Sequence, residues 1–168
     1  DWVILEGPLV DGKMTVLITA SPKDYIDALT DVLKQAGLKP FALEVESQAT
    51  ARSLVAREDE TVLIADIDTA RTSFIIYEHG TLKFTSSFPV AGNAFTESIA
   101  RGLDINFDDA EKLKREVGIA DAPKYASERK ALAAVLNNLV EEIKTTIRFH
   151  EEHSSDNVKV TRLLLAGG

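Results

Sequence analysis

Residues 61–88 read TVLIADIDTARTSFIIYEHGTLKFTSSF, and this stretch decides the fold. Val62–Ile67, Thr72–Tyr77 and Thr81–Phe88 are β-branched, apolar or alternating runs of strand length, the signature of buried and half-buried strands. Asp68, Thr69, Ala70 and Arg71 form the first turn, and His79-Gly80 the second. A glycine at such a place supplies the positive φ that a short hairpin needs. The segment predicts a three-stranded antiparallel meander. Alternation puts Asp66 on the face of Val62 and Ile64, where a carboxylate is costly unless paired or ligated. Asp68, Thr69 and Thr72 then surround the turn with oxygens. Such oxygens can hold hydrated Mg2+ and bond phosphate, or merely satisfy turn amides; both readings stand at this point.

Downstream, residues 92–101 carry Phe95, Ile99 and Ala100 on one helical face. Asn106 caps a helix through Phe107, Ala110, Leu113 and Val117 to Gly118, following the usual asymmetry of helix ends. From Ser127, Leu132, Val135, Leu136, Leu139, Val140, Ile143 and Ile147 recur at helical spacing to about His150, predicting a long helix that buttresses the meander. Val158–Leu165 reads as a final strand, followed by Gly167-Gly168. A glycine pair there begins a loop that approaches a ligand or a helix.

Upstream, Trp2–Leu5 and Met14–Thr19 are strands around an Asp11-Gly12 turn. Ser21 caps a helix that Pro22 opens and Gly37 closes, burying Tyr25, Ile26, Leu29, Val32, Leu33 and Ala36. Phe41, Leu43 and Val45 alternate as a strand, and Ser47 caps a short helix to Val55. Arg57–Glu60 is polar and short, a natural lobe boundary.

A length of 168 residues allows one substantial core or two small lobes. A net charge of −8 argues against the phosphate attraction of nucleic-acid binders. Without cysteine there is neither a disulfide frame nor a thiolate metal site, which suits a reducing compartment. Apolar runs such as Val62–Ala65 and Leu163–Ala166 fall far short of the about 20 residues that cross a bilayer. The strand-like start at Asp1 reads as a piece of a longer protein.

Four stretches in order carry a family resemblance. Asp66-Ile67-Asp68-Thr69-Ala70-Arg71-Thr72 resembles the second phosphate motif of actin-like ATPases. Phe88-Pro89-Val90-Ala91-Gly92-Asn93-Ala94-Phe95-Thr96 resembles the segment opening the next helix in bacterial members. Phe107-Asp108-Asp109-Ala110-Glu111-Lys112-Leu113-Lys114 resembles their Ala-Glu-x-Leu-Lys helix, and Leu163–Gly168 the strand and glycines that meet adenosine. Upstream, Ala36–Glu46 with Ala49 and Arg52 most resembles the PilM family of type IV pilus assembly. The FtsA cell-division family, which shares the downstream motifs, is the alternative.

The resemblance implies an α/β fold with mixed sheets, a fragment of the actin-like ATPase fold. Residues 1–45 would belong to a small inserted subdomain, 46–60 to a helix and boundary of the first lobe, and 61–168 to the second-lobe nucleotide-binding subdomain, truncated at the adenosine loop. It implies ATP and Mg2+ as cofactors in the intact protein. The phosphates would meet Asp66, Asp68, Thr69, Ala70, Arg71 and Thr72, with Gly92, Asn93 and Thr96 on the nucleotide-site helix. Gly167 and Gly168 would meet adenosine, and Asp66 the Mg2+. The implied protein is a cytoplasmic scaffold without significant turnover, peripheral to the inner membrane through its partners. It would bind the N-terminal tail of a PilN-like membrane protein, with self-association as a further expectation and no nucleic-acid partner. An ATPase or small-molecule kinase, with Asp66 and Thr72 positioning Mg2+, is the enzymatic alternative.

Two positions depart from the family pattern. Asp68 stands where the family has glycine and adds a negative charge beside the expected phosphate oxygens, unless it points aside or meets the metal. Ala91 replaces the first of a glycine pair. Other residues read as structural. His150 and His153 fit a solvated helix end better than a zinc site. Glu111, Lys112, Lys114, Arg115 and Glu116 read as an exposed face of mixed charge, and Trp2 as a strand residue packing on the first sheet.

Overall fold

A two-stranded antiparallel ribbon opens the computed structural model, with β1 (Trp2–Ile4) and β2 (Val16–Ile18) pairing Trp2 with Ile18 and Ile4 with Val16. The structure describes residues 2–4, 12–14, 16–57, 59–119, 122–154 and 158–168. Leu5, Asp11 and Thr15, assigned above to strands and their turn, lie outside them, while Gly12 has the positive φ of 72° that a turn needs. The chain divides into two compact units, residues 1–50 and 51–168.

In the first unit, α1 (Lys23–Gln35) starts one residue later than expected. Pro22 is its N-cap, at φ −55° and ψ 129°, and Ser21 lies outside the helix. Proline's fixed φ suits that place as well as the first helical one. The C-terminal end is as expected: Gly37, at φ +79°, donates to the Lys34 carbonyl and Leu38 to that of Leu33, the paired bonds of a glycine-terminated helix. No α1 residue is buried, because a ribbon of two short strands offers too little surface to cover its apolar face. Trp2 in β1 is likewise exposed. The expected strand at Phe41–Val45 is not formed: residues 38–45 are irregular, and Phe41 is fully exposed. Alternation alone cannot make a strand where no neighbour pairs with it. In α2 (Glu46–Leu54) Ser47 lies inside the helix, and the Val45 carbonyl starts it by accepting from Gln48 and Ala49.

The second unit is built on the meander. β3 (Thr61–Ile67), β4 (Thr72–Glu78) and β5 (Thr81–Phe88) match the expected strands to within a residue, and His79 (φ 47°) and Gly80 (φ 77°) make a two-residue hairpin turn. Then come α3 (Gly92–Leu103), α4 (Phe107–Val117), α5 (Ala126–His153) and β6 (Arg162–Gly167). The sheet order is β5-β4-β3-β6, with β6 parallel to β3 and the other pairs antiparallel. Asn106 caps α4 as expected, its side chain accepting from the Asp109 amide at 2.9 Å. α5 begins at Ala126, one residue before the expected Ser127; a 3-10 turn at Pro123–Tyr125 leads in and Tyr125 occupies the cap. β6 begins at Arg162 rather than Val158, and the Thr161 amide and hydroxyl both bond the Thr61 carbonyl just before it.

Val62, Leu63, Ile64 and Ala65 are fully buried, so β3 is covered on both faces. Leu63, Ala65, Phe74 and Ile76 pack on Leu139, Ile143 and Ile147 of α5, which is the expected buttress. Each fully buried leucine, isoleucine or phenylalanine of this cluster contributes about 1.5–3 kcal/mol on burial, and Ala65 less. A second cluster, Ile99, Ala110 and Leu132, joins α3, α4 and α5. His150 is buried rather than solvated, its Nε2 3.0 Å from Glu78 Oε2. The turn of α5 that carries it faces the end of β4, a long-range contact that helical spacing does not encode.

Candidate functional site

The residues singled out in the sequence gather at one end of the four-stranded sheet. β3 and β6 are parallel, so their carboxyl ends share an edge, with Asp66 opposite Ala166 and Ile67 opposite Gly167. That edge is where open sheets with parallel strands place their ligands. The Asp68 amide donates to the Arg71 carbonyl at 3.0 Å and closes the turn between β3 and β4. The turn's carbonyls in turn hold α3: Gly92 N donates to Asp68 O at 2.9 Å and Asn93 N to Thr69 O at 2.8 Å. Helix starts leave several amides unpaired, and here the strand turn satisfies two of them.

This closeness explains two glycines. A Cβ on Gly92 would lie 3.2 Å from Asp68 O and 3.3 Å from the Thr69 Cα. A Cβ on Gly167 would collide with the Ile67 carbonyl oxygen and lie 2.7 Å from its carbon, and Gly167 also holds φ +110°. Gly168 has open space around it. Gly167 is therefore required by the approach of β3, a demand of the sheet itself.

The Thr72 and Thr96 hydroxyls are committed within the protein. Thr72 is fully buried and donates to the Val90 carbonyl at 2.7 Å, fastening β4 to the segment before α3. Thr96, also fully buried, donates to Glu111 Oε2 at 2.5 Å and lies 3.0 Å from the Gly92 carbonyl. Lys114 Nζ reaches Thr96 Oγ1 at 2.8 Å, the Gly92 carbonyl at 3.1 Å and Glu111 Oε2 at 2.7 Å. Arg115 Nε bonds the other Glu111 oxygen at 2.8 Å. Lys114, Thr96 and Arg115 hold the Glu111 carboxyl down at about 2, below the ordinary 4.5. These contacts correct the expectation of a merely exposed charged face: Glu111 and Lys114 turn towards α3, while Lys112 and Arg115 stay largely exposed. Their one sequence signal is that 111 and 114 flank the stripe of Ala110, Leu113 and Val117.

Thr69, Ala70 and Arg71 are left exposed at the tip of the turn, with Asp66 and Asp68 half-buried beside them. An anion reaching this edge meets turn backbone, the Thr69 hydroxyl and the Arg71 guanidinium, with the Asp66 and Asp68 carboxylates beside them; the backbone and the cation suit a phosphate, and the carboxylates suit a metal ion that would accompany it. Among the described residues no three metal-ligating side chains converge, so a hydrated Mg2+ shared with phosphate oxygens fits better than an all-protein cage.

A family profile described as type IV pilus assembly protein PilM matches residues 2–168. A curated relative, the cell-division protein FtsA of Bacillus subtilis, is 24% identical over 118 residues, which is 69% of this chain and 25% of that protein. Among solved structures, the PilM-PilN type IV pilus biogenesis complex superposes with a TM-score of 0.75 at 25% identity, covering 100% of this chain and 48% of that one. MreB5 of Spiroplasma citri bound to ADP superposes with a TM-score of 0.68 at 20% identity, over 89% of this chain and 55% of that one. The sequence thus spans about half or less of the length of these relatives, and its mixed sheet with flanking helices has the actin-like ATPase fold.

Proposed function

This chain belongs to the type IV pilus assembly protein PilM family, and from that membership we propose that it is part of an actin-like scaffold that binds ATP structurally and docks the N-terminal tail of a PilN-like inner-membrane protein. The observation that carries the reading is the superposition on the PilM-PilN complex over the whole chain. In this reading residues 1–45 belong to the inserted small subdomain, 46–60 to the first lobe and its boundary, and 61–168 to the nucleotide-binding subdomain of the second lobe. Among the described residues no helix is long and apolar enough to cross a membrane. The protein then reaches the inner membrane from the cytoplasm, through its partner.

In this reading the turn Asp68–Thr72 would hold the nucleotide phosphates, Asp66 would help to hold Mg2+, Gly92, Asn93 and Thr96 would set the helix beside them, and Gly167-Gly168 would border adenosine. Bound Mg2+ would neutralise phosphate charge at this edge. Because Thr72 and Thr96 are buried and committed to Val90 and Glu111, their part is to shape the turn and the start of α3. Titration of a PilN-like tail peptide against the full-length protein tests the docking, and absence of saturable binding sinks it. Calorimetry with ATP and Mg2+ tests the site. Asp68→Gly is expected to tighten ATP by about tenfold by removing a like charge, and unchanged affinity overturns this account of the turn.

The likeness to FtsA supports a second reading, self-association into a cytoskeletal polymer. Nucleotide-dependent pelleting of the full-length protein would favour it.

A further inference from the structure

β6 and its flanks read Thr161-Arg162-Leu163-Leu164-Leu165-Ala166-Gly167-Gly168, and this pattern by itself does not say how the strand should lie on β3. Alternation fixes register where one face is apolar and the other polar; three consecutive leucines present leucine to both faces in either register. Sterics exclude a slip in one direction only. A shift that set Ala166 opposite Ile67 would drive its Cβ into the Ile67 carbonyl, the collision that Gly167 now avoids. The opposite shift sets Gly168 there, and a second glycine carries no Cβ to collide.

What opposes that second shift lies at the far end of the strand. Thr161 donates both its amide and its hydroxyl to the Thr61 carbonyl, at 2.9 and 3.0 Å. Arg162 Nη2 lies 2.9 Å from Glu60 Oε2, and Arg57 Nε 3.4 Å from the other Glu60 oxygen. The Glu60 carbonyl accepts from the His79 amide at 3.4 Å, which ties its backbone to the hairpin. A one-residue shift would carry Arg162 from its place opposite Val62 to one opposite Thr61. Its side chain would then turn to the other face of the sheet, away from Glu60.

We infer that Glu60, Thr161 and Arg162 are positioning residues that set the register of β6 and so hold Gly167-Gly168 at the ligand edge. The glycine pair lies five strand steps from Arg162, about 17 Å away. That this edge takes a nucleotide rests on the reading given above; the register does not. The side chains of the ion pair are 21% and 38% exposed, so its strength is modest. Its effect is selective, since it forms in one of two registers that the leucines do not tell apart. A slipped strand would move the glycine pair by about 3.3 Å, one residue along the edge.

These 168 residues contain no cysteine, so introduced pairs report the register, read as linked peptides by mass spectrometry of oxidised full-length protein. Ile64→Cys with Leu164→Cys is expected to form a disulfide, because the two stand opposite one another. Ile64→Cys with Leu165→Cys is expected to form none, because those side chains lie on opposite faces. Thr161→Val and Arg162→Gln together should make the link between positions 64 and 165 appear, and should weaken ATP about tenfold by calorimetry. Adding Gly168→Ala should abolish that link, since an alanine cannot stand against the Ile67 carbonyl. In that background the double replacement should weaken ATP by less than about twofold relative to Gly168→Ala alone. Arg162→Lys, which keeps the charge, should leave the link between 64 and 164 dominant. The inference is overturned if the link between 64 and 165 never appears, if it persists with Gly168→Ala, or if both links form equally, as in a frayed strand. Equal ATP losses in the two backgrounds overturn the positioning of the glycines. If the wild-type protein binds no ATP, the nucleotide reading fails, while the cross-links still decide the register.

Discussion

Between β4 and β5 the chain reverses in two residues, His79 and Gly80, both at positive φ. Between β3 and β4 it takes four, Asp68 to Arg71, none of them at positive φ. The short turn matches the twist of its strands, and its one bond outside the hairpin that the backbone shows runs from the His79 amide to the Glu60 carbonyl at 3.4 Å. The longer one offers its Asp68 and Thr69 carbonyls to α3, and its neighbour Thr72 fastens to Val90. Two turns of one meander thus divide the labour: one closes a hairpin, while the other joins a helix, two parallel strand ends and an exposed tip.

The contrast can be broken most severely at the sheet edge. Gly167→Ala should lose about 3 kcal/mol or more, because alanine must hold φ +110° and press on Ile67. Denaturant titration of the full-length protein would expose an error if the variant were neutral. Gly92→Ala should cost about 1–3 kcal/mol of stability and weaken ATP, since its Cβ pushes on the turn. Gly80→Ala sharpens the comparison: a left-handed alanine at φ 77° should cost about 1–2 kcal/mol with ATP affinity intact. Equal nucleotide effects at the two glycines would erase the distinction. Thr72→Val should cost about 1 kcal/mol by leaving the Val90 carbonyl without its donor, visible as a lower midpoint in the same titration.

The smallest effect expected is acidic. Glu111 has its carboxyl lowered to about 2 from 4.5, so its contribution is complete above about pH 4.5 and fades as pH falls towards 2. The stability gap between wild type and Glu111→Gln should close over that window. A gap that stays constant would mean that Lys114 and Thr96 do not grip the carboxylate.

What could be read from sequence was what depends on neighbours along the chain. The meander followed from alternation and two turn signals, and the start of α4 from a single asparagine. Ser21 and Ser47 misled because proline and a free carbonyl each start a helix without a serine cap. Phe41–Val45 has the pattern of a strand but, among the described residues, no strand beside it. Glu111, Lys114 and His150 were missed because what decides them lies on other elements: α3 for the first two and β4 for the histidine. At the candidate site the residues were legible and their bonding was not. Nothing local tells whether a threonine hydroxyl faces a ligand or, as with Thr72, the Val90 carbonyl.

The bond from Thr161 to Thr61 spans 100 residues, and it sets an order of events. The hairpins of the meander close loops of two and four residues, which form within microseconds, whereas β6 must find β3 across a far longer loop. During synthesis the turn at Asp68 can exist long before the strand that completes its edge. A nascent chain therefore carries the tip of the site without its floor, and any ligand that needs both is met only after β6 docks.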